Sequence, residues 1–184
     1  VLPELPAETR IRFEQEFGVK AEDIETYLHD TALGAWFADV AACFSDKESI
    51  VVASNFTTSD LLGLQAKDAT LALPGAKAFA DLIALFREGK LSSRATKDIL
   101  LTLMKEGGDP LKIATERDLF QMSNESELSP VIDSVIAAND KMVADYKGGK
   151  DAALQGLVGL VIRDTRGKAN PQITFDILQK KITR

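Results

Sequence analysis

The chain has 184 residues, is 45% hydrophobic and 27% charged, and carries a formal net charge of −6, a composition that builds one good core or two small ones and excludes a disordered or fibrous chain. The charge is uneven: residues 146–184 hold eight Lys/Arg against three Asp/Glu, while 1–145 hold fourteen against twenty-five, so a stretch near +5 adjoins a body near −11. With one His, one Cys and only short apolar runs broken by charges, the sequence excludes most nucleophilic triads, an internal disulfide and a membrane-spanning helix.

The chain begins at Val1 with LPELP, not Met, which suggests a piece of a longer protein. Residues 7–17 predict a short surface helix that follows two prolines and ends at Gly18. The segment 21–30 repeats the pattern with Ile24, Tyr27 and Leu28 on one face. In 31–44, Leu33, Trp36, Phe37, Val40, Ala41 and Phe44 mark a strongly amphipathic helix. His29 lies at the junction without a second histidine or acids at ligand spacing, so it reads as a surface or capping residue. Cys43, alone in an apolar run, fits a reducing cytosol.

A longer helix is expected over 47–67, with Thr57, Thr58 and Ser59 as the place where it could break. Pro74 and Gly75 open a loop into 76–87, where Phe79, Leu82, Ile83 and Phe86 line one face before Gly89. Ser92 or Ser93 caps a helix to Lys105, and Gly107, Gly108, Asp109 and Pro110 open another. The polar stretch 118–127 is the best boundary, with the junction placed near Ser123. Beyond it, helices are expected over 129–138, 141–146 and 150–165, with a last one from Pro171. No segment alternates with period 2. The predicted fold is therefore all-α, with a helical domain over 1–122 and a small tail domain over 123–184.

The basic stretch holds the candidate site. Leu154, Leu157, Val158 and Val161 give the helix over 150–165 an apolar face, while Ala152, Gly156, Gly159 and Arg163 form a stripe of small residues ending in a cation. A neighbouring helix or a nucleic-acid backbone would each account for that stripe. Gly167 stands where a left-handed cap is expected, and Asn170 with Pro171 supplies an N-cap and first-turn proline. The N–H groups opening the last helix, between Arg166 and Lys168, suggest a phosphate seat, although simple capping fits the same residues. No paired carboxylates, metal-ligand cluster or G-x-x-x-x-G-K-[ST] loop singles out an active site.

The runs Ser126-Glu-Leu, Asp145-Tyr-Lys-Gly-Gly-Lys, Leu157-Val-Gly and Thr165-Arg-Gly-Lys-Ala-Asn-Pro resemble the C-terminus of the B subunit of the tRNA-dependent amidotransferases, with its YqeY-like tail. Upstream, LPELPAETRIRFEQEFGV and EGKLSSRATKDILLTLMKEGGDP resemble the helical domain of the same family, so the likeness covers nearly the whole chain. The chain departs from the pattern at Leu160, where the family commonly has Gln, and at Asn139-Asp140, where it often has Asn-Pro. The resemblance implies a cytoplasmic complex with the amidotransferase A and C subunits that amidates misacylated Glu-tRNA(Gln) or Asp-tRNA(Asn), using ATP, Mg²⁺ and glutamine-derived ammonia at sites outside this chain. It implies that this chain holds the tRNA body, needs no cofactor of its own, and is not itself catalytic. The tRNA-binding candidates are Lys147, Lys150, Arg163, Arg166, Lys168 and Asn170, with Lys150 and Lys168 foremost. RNA helices are recognised by shape, phosphate and 2′-hydroxyl contacts, which calls for cations and backbone donors. The competing reading is a helical protein-interaction module, a free YqeY-like adaptor whose basic corner is solubilising charge.

Overall fold

The computed structural model describes residues 6–183 and is all-α, with only isolated bridge pairs besides helices among those residues. Pro3, the first of the two prolines ahead of the expected helix, and Arg184 fall outside the described residues. The packing separates two compact units, one made of 1–88 with 93–117 and the other of 89–92 with 118–184.

The first unit begins with α1 (Pro6–Gln15), α2 (Ala21–His29) and α3 (Thr31–Ala41). The expectation of a mere surface helix in α1 is corrected at Phe13. Its ring is 1% exposed and meets Tyr27 and Phe37 at centroid separations of 5.6 and 5.9 Å, while Tyr27 and Phe37 stack at 4.4 Å. Ile11, the other large apolar side chain of that helix, is left in solvent. Helix α3 starts where the Asp30 carboxylate accepts the Leu33 amide at 3.0 Å, as N-caps do. His29 is exposed at the end of α2, and Cys43 is exposed as a free thiol.

The long helix expected over 47–67 is α4 (Lys47–Asn55), a π-helical segment (Phe56–Leu61) and α5 (Leu62–Lys67). The Thr57 and Thr58 hydroxyls donate to the Ala53 and Ser54 carbonyls at 2.8 and 3.1 Å. Competing with the main-chain ladder in this way is what loosens a helix at consecutive threonines. Helix α6 (Ala76–Arg87) packs on α3 and α4, and also on α7 (Ser93–Glu106) and α8 (Pro110–Glu116). It buries Phe79, Leu82 and Ile83 completely, and is the axis of this unit.

The second unit comprises α9 (Glu125–Ala138), α10 (Asp140–Lys147), α11 (Asp151–Asp164) and α12 (Pro171–Ile182). Helix α9 starts four residues ahead of the expected Ser129. Asn124 caps it by accepting the Ser126 amide at 3.1 Å, Glu125 and Glu127 favour the first turn, and Pro130 is accommodated inside. The core of this unit interleaves Leu128, Ile132 and Val135 of α9 with Leu154, Leu157, Val158 and Val161 of α11, and with Ile177, Leu178 and Ile182 of α12. The apolar face predicted for 150–165 is thus the buried face of α11.

A candidate basic interface at the two ends of one helix

Helix α11 determines where the cations lie. It has fourteen residues, which at 1.5 Å per residue is about 21 Å. Lys147 and Lys150 precede it; Arg163, Arg166, Lys168 and Asn170 are at or beyond its far end. The sequence suggested a single basic corner, but the structure divides these residues between the two ends of a helix.

The small-residue stripe resolves position by position. A Cβ on Gly156 would sit 2.4 Å from Cε of Met142 in α10, so the close neighbour there is a helix of the same unit. A Cβ on Gly159 would meet nothing within 4 Å, and that residue faces outward.

At the far end the helix closes with two bonds: the Arg166 amide donates to the Arg163 carbonyl at 3.0 Å and the Gly167 amide to the Ile162 carbonyl at 2.7 Å. This is the Schellman pairing, with Arg166 in the position that adopts the left-handed conformation. The expectation that Gly167 is the left-handed cap is therefore corrected. Gly167 does have φ +83°, but the capping position itself, φ +55°, belongs to Arg166. An L-residue with a full side chain loses about 1–2 kcal/mol in that conformation.

Thr165, which carries no signal of its own in the sequence, ties the corner together. Its buried hydroxyl donates to the Val161 carbonyl at 2.8 Å and accepts the Ala169 amide at 3.1 Å. The Lys168 amide donates to the Thr165 carbonyl, and the Asn170 amide to Met122. Asn170 Oδ1 accepts the Gln172 and Ile173 amides at 3.0 and 3.2 Å, and its carbonyl accepts the amide of Thr174. Every main-chain N–H from Thr165 to Thr174 consequently has an internal acceptor, Pro171 having none to give. The phosphate seat expected on the first amides of α12 is not available, because Asn170 occupies them. Asn170 is engaged as a helix cap, and what the corner offers a ligand is side chains.

Those side chains differ in their company. Lys150 Nζ lies 2.8 Å from Asp145, whose carboxyl is held below its ordinary value by the hydrogen bond and charge of that lysine. Arg163 lies 3.0 Å from Asp164, and Lys168 is paired with Asp118. The Arg166 and Lys147 side chains are exposed and have no ion-pair partner among the described residues. Lys147 borders a shallow hollow of about 400 Å³ with Tyr146, Asp151, Ile182 and Thr183. Lys180 and Lys181 are paired with Glu125 and Asp133 of α9 and so brace the bundle. Surface pairs of this kind are worth about 0–1 kcal/mol and exchange readily for a stronger anion. Among the described residues, no group of three or more His, Cys, Asp or Glu is placed to hold a metal ion. No helix among the described residues is long and apolar enough to cross a membrane.

Comparison with known families decides what this bundle belongs to. The GatB domain matches residues 37–182, spanning both units. The chain belongs to the GatB domain family. Three relatives show the same coverage, each the B subunit of an aspartyl/glutamyl-tRNA(Asn/Gln) amidotransferase. That of Thiobacillus denitrificans is 36% identical over 98% of this chain, that of Bordetella avium 34% over 99% of it, and that of Carboxydothermus hydrogenoformans 31% over 100% of it. In each case the chain spans 38% of the relative's length. The likeness to the amidotransferase B subunit read from the sequence motifs is thus borne out, and the GatB domain seen here is helical in both its units.

Proposed function

We propose that this GatB-domain chain holds the body of a tRNA, Glu-tRNA(Gln) or Asp-tRNA(Asn), for an amidation whose ATP, Mg²⁺ and ammonia are handled elsewhere in a multi-subunit enzyme that also contains A and C subunits. The observation that carries the reading is the arrangement of cationic side chains at both ends of α11, Lys147 and Lys150 at one and Arg163, Arg166 and Lys168 at the other. Cations separated by the length of that helix suit phosphates several nucleotides apart and call for no base-reading pocket.

The test is filter binding of tRNA(Gln) and tRNA(Asn) transcripts to the 184-residue chain across a salt series. Each phosphate neutralised contributes about 0.7–0.9 to the slope of log K against log salt. Lys150→Ala and Arg166→Ala are each expected to flatten the slope by about that increment, and the double variant by the sum, since sites that far apart act independently. Salt-independent binding, or variants indistinguishable from the parent at every salt concentration, overturns the proposal in favour of a protein-interaction module.

A further inference from the structure

Helix α10 is held to its bundle more lightly than its neighbours are. It has eight residues and none of them is buried, whereas α9, α11 and α12 each bury three or four. A helix that short does not hold itself in water and depends on what it packs against. No side chain caps its start. Asn139, which stands there, turns its side-chain amide back to the Val135 carbonyl at 2.8 Å and finishes α9 instead, so α10 forgoes the hydrogen bond that an N-cap supplies. At its other end come Gly148 and Gly149, the latter at φ +93°, and the turn is closed by the exposed pair of Lys150 with Asp145.

What fastens α10 to the core is Met142, Val143 and Tyr146, all partly buried. Of these, Met142 has a seat made for it. Its Cε lies 2.4 Å from the point where Gly156 of α11 would carry a Cβ, so the methyl fills the space that the glycine leaves. Gly159, further along the same helix, has no such neighbour. A glycine inside a helix weakens it relative to alanine; at position 156 the return is a socket for α10. The flexible, polarizable thioether of methionine suits an irregular notch of this kind. The seat is open to solvent on one side: Met104 of the first unit is 3% exposed, whereas Met142 is half-buried.

We infer that Met142 is a redox-sensitive latch: a peroxide oxidises its thioether, and the sulfoxide releases α10 while α9, α11 and α12 stay packed. In that step the sulfur lone pair attacks one peroxide oxygen, the O–O bond breaks, an S–O bond forms and the other oxygen leaves as water, so sulfur is oxidised and the peroxide reduced. The product is a polar side chain whose tip must fit between two helices, and taking its oxygen out of water is unfavourable. Methionine oxidation disrupts packed contacts in this way and is enzymatically reversible. Because α10 ends at Lys147, its docking fixes where that cation stands, but the inference holds whether or not the chain binds a tRNA.

The 184-residue chain and its Met142→Leu variant are treated with hydrogen peroxide, the oxidised residues are located by peptide mass spectrometry, and amide hydrogen exchange is followed over α9 to α12. In the parent, Met142 is expected to gain an oxygen well before Met104. The α10 amides should then exchange about tenfold faster than before treatment, with α9, α11 and α12 unchanged, and methionine sulfoxide reductases should restore the original rate. Met142→Leu fills the seat without an oxidisable sulfur, so its α10 should not respond to peroxide, which separates the effect from oxidation of Met122, another partly buried methionine. Complete oxidation of Met142 with unchanged α10 exchange overturns the inference, as does a Met142→Leu variant that responds like the parent. Loss of protection throughout the bundle overturns it too, since Met142 would then support the whole unit and not one helix.

Discussion

Thr165→Val tests the account of the corner most directly, because it deletes one hydroxyl and keeps the shape. Valine matches threonine in volume and branching, so little packing is lost. The Val161 carbonyl keeps the Thr165 main-chain amide when the hydroxyl goes. What is stranded is the Ala169 amide, whose acceptor at 3.1 Å is that hydroxyl and whose residue is 1% exposed. A buried donor without an acceptor costs about 1–3 kcal/mol. Taking about 2 kcal/mol, the melting midpoint falls by about 4–8 °C in a chain of this size. The same figure corresponds to about thirtyfold more frequent opening at Ala169, read by hydrogen exchange of that amide. Thr165→Ser is the control: it loses a buried methyl, worth about 0.8 kcal/mol, yet retains the acceptor, so Ala169 should stay protected while the melt shifts only slightly. If Ala169 in Thr165→Val exchanges at the parental rate and the melt is unchanged, the hydroxyl does not organise the turn.

Two further outcomes follow from the glycines and one from a helix cap. Gly34→Ala should destabilise by about 1–3 kcal/mol, since its Cβ would lie 2.6 Å from the Tyr27 carbonyl oxygen, a main-chain atom that cannot step aside. Gly159→Ala, with nothing within 4 Å of the new methyl, should instead stabilise by about 0.5–1 kcal/mol, both read by thermal melts. The Asp46 carboxyl is held below its ordinary 3.8, first by the Ser49 amide it caps. A depressed folded value means that its contribution is present above pH 3.8 and lost as pH falls through the lower folded value. Asp46→Asn, which caps without titrating, should therefore show a smaller drop in melting temperature between mildly and strongly acidic buffer than the parent does.

The apolar spacing makes the helices readable. Leu154, Leu157, Val158 and Val161 recur on one face because they fill the core between α9 and α12, and the Asp109–Pro110 and Asn170–Pro171 pairs mark helix starts because an Asx cap followed by proline suits no other local structure as well. Phe13 is hard to place because its charged neighbours set the tone of the segment, and no local pattern reveals that the partners of its ring are Tyr27 and Phe37. In the candidate site, the cationic residues are visible as composition, but their pairing is not: Lys168 meets Asp118 fifty residues away. The left-handed position falls to Arg166 because helix length, fixed by packing, sets which residue closes the turn, and the adjacent glycine shifts a reading of the sequence by one place.

The strap at 120–122 has a practical bearing on dissection of the molecule. Met122 gives its amide to Lys168 and receives that of Asn170, and Gln121 gives its own to Lys90, so the turn after α11 is laced to two stretches that precede α9 in the chain. A fragment starting at Ser123 would retain all four helices of its bundle and yet lose both main-chain bonds that hold residues 168–170 to Met122. A fragment starting at Asp118 would keep those two bonds but lose the contacts with residues 89–92, among them the Gln121 amide on Lys90, the Ser123 hydroxyl on Gly89 and the Leu91–Phe120 bridge. The position of the scissors, five residues either way, decides whether an isolated tail presents Arg166 on a fixed turn or on a loose one.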